Sequence, residues 1–340
     1  MKKILLPFFI SIIGLQLAQA QQKPQYTQYV FDNLLLNPAV TGIENYVDVK
    51  TGYRSQWTGL DGAPVTSYIT VSAPFGSDFV QGDAAAMSPG NEANPYSRLY
   101  TQTYEAAEPH HGIGFMVVSD QAGQIGTTNI DATYAYHLGL SSTLNLAVGV
   151  AAGVNHISLN TSGIVLPDSQ FDPAIANGNN SQWKPDLNLG IWAYSSNYYV
   201  GLSAQQLLPQ NLYFSTTSSS INQSKTVPQY LLTAGVKVFL SDDLTLLPTT
   251  LIKYIRPLPL VYDINMKLAF RDRFWIGAAY RYQDGVAGLV GFNISSLINI
   301  SYSYDYTTSQ LGNVSYGTHE IVIGLMLNNR DKVVSPRHSF

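Results

Sequence analysis

No cysteine occurs in this sequence. A chain built for export without cysteine has no disulfide framework, so its stability must come from a large hydrogen-bonded architecture. Charge is scarce too: 12% of residues are charged, with 18 Lys and Arg against 22 Asp and Glu and a formal net charge of −4. Such a weakly acidic chain presents no electrostatic footprint for nucleic acid. Beyond residue 20, no apolar run approaches the ~20 residues of a membrane-spanning helix. Linear catalytic signatures are missing: there is no Gly-x-Ser-x-Gly elbow, no phosphate-binding loop and no His-Glu-x-x-His. Six histidines, His110, His111, His137, His156, His319 and His338, offer no chelating pattern. His110 and His111 are adjacent, and in a strand they would face opposite ways. A serine and a histidine from separate strands could still form a lipid-hydrolysing site. His319 has the outward parity for that role, but no partner is identifiable. The expectation is a non-enzyme with no catalytic residue, no metal site and no cofactor.

What is present begins with an export signal. Lys2 and Lys3 precede an apolar run over residues 4–17, and Ala18-Gln19-Ala20 supplies small residues at a cleavage site. This pattern predicts a signal peptide over residues 1–20, removed after Ala20.

The remainder alternates. In the stretch from Asn299 to Thr307, Ile300, Tyr302, Tyr304 and Tyr306 share one parity, while Asn299, Ser301, Ser303, Asp305 and Thr307 share the other. Side chains alternate faces along a strand, so one face is aromatic and the other polar. The same pattern recurs in about fourteen segments: 46–54, 65–71, 111–119, 127–137, 144–154, 187–194, 198–205, 230–240, 244–255, 260–270, 274–282, 286–293, 298–306 and 319–327. Clusters of Gly, Pro, Asn and Asp separate them. A soluble β-sandwich also alternates, but a chain of this length would then need two domains, and no linker-like shift in composition divides it. The predicted fold is therefore all-β, a transmembrane outer-membrane barrel of about 14 antiparallel strands.

The parity also sorts the charges. Lys50, Arg54, Lys237, Lys253, Lys267 and Arg281 fall on the inward side, as do Asp48, Asp305 and Glu320. They read either as a solvated, mutually paired lumen or as the seat of a plug. The inward face of 144–154 consists of Asn145, Ala147, Gly149, Ala151, Gly153 and Asn155, small enough to leave room for something packed inside. The stretch before the first strand does not alternate and carries Tyr26, Tyr29, Phe31 and Asn37-Pro38-Ala39, so it could fold into the lumen and block it. The expected division is a signal peptide at 1–20, a periplasmic or plug segment at 21–44, a barrel at 45–327 and a tail at 328–340. Residues 76–109 interrupt the alternation, either as a periplasmic extension or with a further strand near 98–104. Either Leu327 or Phe340 could serve as the terminal assembly signal.

Several strings, in order, resemble the type IX secretion system membrane proteins of the PorP/SprF family of Bacteroidetes. They are Pro24-Gln25-Tyr26-Thr27-Gln28-Tyr29-Val30-Phe31, Leu36-Asn37-Pro38-Ala39-Val40-Thr41-Gly42, and Tyr53-Arg54-Ser55-Gln56-Trp57 with Gly62-Ala63-Pro64. Tyr199-Val200-Gly201-Leu202-Ser203, Ser303-Tyr304-Asp305-Tyr306 and Gly317-Thr318-His319-Glu320-Ile321 complete the set. The resemblance implies a barrel without enzymatic activity in the outer membrane, partnered by type IX secretion components, a secreted surface adhesin and outer-membrane lipid. The candidate residues are Arg54, Gln56 and Trp57 at the first turn, Asn37 and Pro38 before the barrel, and Asp305, His319 and Glu320 on the last two strands. Arg54 and Asp305 are expected to pair across the barrel seam. The alternative is a transporter for hydrophobic small molecules of the fatty-acid-transporter type, which would need an apolar pocket in the lumen. The small, polar inward faces count against it.

Overall fold

In the computed structural model, residues 23–75, 104–161, 181–210 and 225–329 are described. Strands β1 (Val47–Ser55), β2 (Val65–Phe75), β3 (His110–Ala122), β4 (Ile125–Gly139), β5 (Asn145–Leu159), β6 (Ser181–Tyr194) and β7 (Tyr198–Gln205) form the first half of one sheet. The second half comprises β8 (Gln229–Val236), β9 (Val238–Phe239), β10 (Leu244–Ile255), β11 (Val261–Phe270), β12 (Phe274–Arg281), β13 (Gly285–Asn293), β14 (Ile298–Thr307) and β15 (Thr318–Leu327). Apart from β8 and β9, which both pair with β10, each strand pairs antiparallel with its neighbours in sequence, and β15 closes on β1 with Arg54 opposite Glu320. Because β8 and β9 are two halves of one stave facing β10, the closed barrel has fourteen staves.

Closure follows from the alternation. An open sheet in hydrocarbon would leave a row of unpaired N–H and C=O groups at each edge, and closure removes both edges. The outward parity is apolar: Tyr53, Ile69, Ile113, Phe115, Val148, Ile191, Leu202, Ile264, Ile276, Tyr302 and Ile323 are exposed on all sides of the wall. A continuous band of this kind far exceeds the apolar patches of soluble surfaces and matches a bilayer-facing girdle. On β14 the tyrosines are exposed and Ser301, Ser303 and Asp305 are buried, as their parity requires.

Two prolines account for irregularities in the wall. The interruption at Lys237 lies next to Val236, whose register partner on β10 is Pro248, a residue with no N–H to donate to the ladder. The alternating segment expected at 187–194 begins earlier in the structure: β6 starts at Ser181, and Pro185 pairs with Val154. Among the described residues the β6–β7 ladder stops at Leu189, with one further backbone bond from Leu207 N to Leu187 O, so Pro185 lies outside the part of β6 that is paired on both edges.

The end of β5, the start of β6, the end of β7 and the start of β8 lie at one end of the barrel, as does the turn 56–64. The tight turns 195–197, 240–243 and 271–273 lie at the other, together with the end of β2 and the start of β3. β2 pairs directly with β3, from Val65 opposite Gln121 to Phe75 opposite His111. The wall therefore needs no further strand between them. The expected signal peptide, most of 76–109 and Phe340 fall outside the described residues.

Candidate functional site

The stretch between Pro24 and Tyr46 packs against inward-facing side chains of the wall. Nearly every residue from Tyr26 to Glu44 is buried, and Tyr29, Thr27, Gln28, Ala39 and Thr41 are fully so. The stretch folds into three short 3-10 turns, Gln28–Val30, Asn33–Leu35 and Pro38–Val40. The last is set by chemistry expected of Asn-Pro: Asn37 Oδ1 accepts from Ala39 N at 2.9 Å, and Pro38 occupies the first helical position, where no N–H is required.

One side of the lumen holds this stretch by charge. Arg54 projects inward from β1 and is 1% exposed. Its Nη2 lies 2.9 Å from Asp305 Oδ2 on β14, and its Nη1 lies 2.9 Å from Glu320 Oε2 on β15. The ion pair expected across the seam is present. At the centre of the group is Thr27. Its backbone N–H donates to Glu320 Oε2 at 2.9 Å and its hydroxyl donates to Asp305 Oδ2 at 2.5 Å, while the hydroxyl oxygen accepts from Arg54 Nη1 at 2.9 Å and Arg281 Nη2 at 3.2 Å. Arg281 also pairs with Asp263 at 3.2 Å and Asp284 at 2.9 Å. Charges removed from water persist only when paired and hydrogen-bonded, and here each guanidinium meets at least two carboxylates.

The opposite side holds the stretch by shape. A Cβ added at Gly149 would stand 2.4 Å from Ala39 N, and one added at Gly190 would stand 1.9 Å from Asn37 Oδ1. Neither position tolerates a side chain while the Asn37-Pro38-Ala39 turn is seated. This is the use of the small inward face of β5. Asn37 Nδ2 donates to Ile191 O and Leu202 O, each at 3.1 Å. Ser203 donates to Leu36 O at 2.6 Å, and Gln205 Nε2 donates to Leu36 O at 3.0 Å and to Leu35 O at 3.1 Å. Near the turn end, His137 and His110 stack with ring centroids 4.5 Å apart, and their Nε2 atoms meet Thr41 O and Gly42 O at 2.8 and 3.1 Å. Phe31 lies against Trp275, and Tyr26 stands edge-on to Tyr68 at 5.4 Å.

Of the candidate residues, Arg54, Asp305 and Glu320 are brought together, and Asn37 and Pro38 sit against β5 to β7. Gln56 and Trp57 lie at the rim turn instead. Gln56 N bonds Pro64 O at 2.9 Å, and Trp57, at φ 49°, donates its backbone N–H to Thr318 Oγ1 at 3.1 Å. His319 does not join the cluster. It faces outward beside its neighbour Glu320, and its Nδ1 is 2.7 Å from Tyr302 Oη. Thr27 is the residue that sequence reasoning missed, because a threonine in a non-alternating stretch carries no parity signal. The inner face is also less uniformly polar than expected: Met116, Val118, Leu231 and Leu251 point inward at the loop end.

A closed antiparallel barrel with an apolar exterior and a polar, filled interior defines an outer-membrane β-barrel. The chain belongs to the type IX secretion system membrane proteins PorP/SprF, whose family model matches residues 18–325. A search of curated proteins finds no match. Similar solved structures include the toluene transporter TodX of Pseudomonas putida, at 8% identity and a TM-score of 0.48, covering 91% of this chain and 95% of that one. The toluene transporter TbuX of Ralstonia pickettii matches at 11% identity and a TM-score of 0.44, covering 86% and 92%. The outer membrane protein Omp33 of Acinetobacter baumannii matches at 10% identity and 0.44, covering 84% and 100%.

Proposed function

We propose that this barrel is a non-enzymatic component that supports export or surface attachment of adhesin-like cargo, and that it does so as a docking platform rather than a conduit. The observation that carries this reading is the burial of the stretch before β1 against inward-facing side chains. The stretch from Tyr26 to Glu44 is hydrogen-bonded or packed against strands around the barrel, from β1 and β2 through β4 to β7 and on to β12, β14 and β15. A polypeptide could not thread such a lumen without breaking the Arg54 cluster and unseating the Asn37-Pro38 turn. Cargo and secretion partners would then meet the protein at its rims, where Gln56 and Trp57 lie. On this reading the division is a signal peptide at 1–20, a plug at 21–44, a barrel at 45–327 and a tail at 328–340.

The test is a deletion strain in which the exported and surface-bound protein sets are both quantified. Loss of many substrates assigns the barrel to the core apparatus, and loss of one assigns it to a dedicated adhesin. Unchanged export and unchanged surface display overturn the reading. Current through the purified barrel in a planar bilayer tests the sealed lumen separately. A steady open-pore conductance from the intact chain would sink the plug assignment.

A further inference from the structure

Above the lumen stretch, at the loop end, a cavity of about 70 Å³ is bounded by Pro24–Tyr26 on one side and by β3, β8 and β10 on the other. Its walls are mainly apolar, with Leu36, Met116, Val118, Leu231 and Leu251 facing it. Five charged side chains border it, and four have their own partners. Lys23 pairs with Asp186 at 3.3 Å, Arg281 with Asp263 at 3.2 Å, and Asp120 accepts the Thr66 hydroxyl hydrogen bond at 2.6 Å. The fifth, Lys253, points inward from β10, two residues along from Leu251. Its side chain makes neither an ion pair nor a hydrogen bond among the described residues.

Lys253 is half-buried, and an ammonium group partly withdrawn from water beside leucine and methionine side chains gains from an anion that joins it. Apolar walls with one placed charge are the composition of a site for an amphiphile, in which the apolar part supplies contact area and the charge fixes orientation. We propose that this cavity binds a short aliphatic carboxylate, its head on Lys253 Nζ and its chain between Leu231, Leu251 and Met116. A carboxylate accounts for both halves of the site. A neutral hydrocarbon leaves Lys253 unpaired, and a small inorganic anion leaves the leucine wall bare. The carboxylate could be a free fatty acid or the terminus of a polypeptide ending in apolar residues. The proposal does not depend on the secretion role.

The test is titration calorimetry on the full-chain barrel in maltoside micelles. The probes are octanoate, octanol, and a short leucine-ended peptide with either a free or an amidated carboxyl terminus. Octanoate is expected to saturate one site, with octanol at least about tenfold weaker, the ratio for loss of one charge-assisted hydrogen bond. Lys253→Gln should weaken octanoate about tenfold while Lys253→Arg retains it, and Leu231→Trp, which fills the cavity, should abolish binding. Competition by the free-carboxyl peptide alone identifies a polypeptide terminus, and its failure to compete identifies the free acid. Equal binding of octanoate and octanol, no saturable binding, or wild-type binding in Leu231→Trp overturns the proposal. The Leu231→Trp result is decisive even if Lys253→Gln does not fold, because it leaves every charge in place.

Discussion

The two sides of the lumen hold the same stretch of chain by different physics. Around β1, β12, β14 and β15 the contacts are charged: Arg54 and Arg281 converge with Asp305, Glu320 and Thr27 within hydrogen-bond range. Around β5 to β7 they are steric, with Gly149 and Gly190 leaving space that Asn37-Pro38-Ala39 fills. The charged side is directional, and its partners must all be present together or a buried charge is stranded. The steric side is tolerant of chemistry but not of volume. One side therefore fixes which residues meet, and the other fixes how closely the backbone approaches.

Breaking the charged side should have the largest effect. Arg54→Ala strands Asp305 and Glu320 away from water and should cost about 3–5 kcal/mol, read as a lower urea midpoint for the refolded barrel in detergent. The triple change Arg54→Ala, Asp305→Asn, Glu320→Gln should recover most of that loss. If the triple variant is no better than Arg54→Ala alone, the cost lies in packing and not in stranded charge. Next comes the steric side, where Gly149→Val should destabilise by about 1–3 kcal/mol through overpacking. It should also expose the Asn37 region to protease while leaving the Arg54 cluster formed. Asn37→Ala removes a cap and two donors to backbone carbonyls, for about 1–2 kcal/mol, seen as a smaller midpoint shift without protease exposure. At the bottom of the scale, Arg271→Gln breaks a pair with Asp243 whose side chains are 62% and 50% exposed, and no shift of midpoint should be measurable.

The division between what the sequence foretells and what it hides follows the same line. Parity places Arg54, Asp305 and Glu320 inside and the tyrosines of β14 outside, because a strand has a period of two and a barrel has only two faces. Pairing of first and last strands then brings Arg54 near Asp305. Thr27 was not legible, since its stretch does not alternate and its partners come from four separate strands; nor was the His110–His137 stack, because these two residues face each other across β3 and β4 in a register that local periodicity does not encode. β6 starts at Ser181 and not at 187, because proline can stand in a strand wherever no neighbour needs its missing N–H. The apolar cavity was overlooked for a similar reason: Met116, Leu231 and Leu251 sit at inward positions of strands whose other inward residues are polar.

The arrangement of Thr27 sets an order of events. Its four side-chain and carboxylate partners come from β1, β12, β14 and β15. The stretch that carries Thr27 is synthesised before any strand, yet three of those partners belong to the last four strands of the chain. Such contacts, separated by 254 to 293 residues, form only once the ends of the sheet have met. The earliest part of the chain is thus the last to be secured, and its seating marks a barrel whose final strand has found its first.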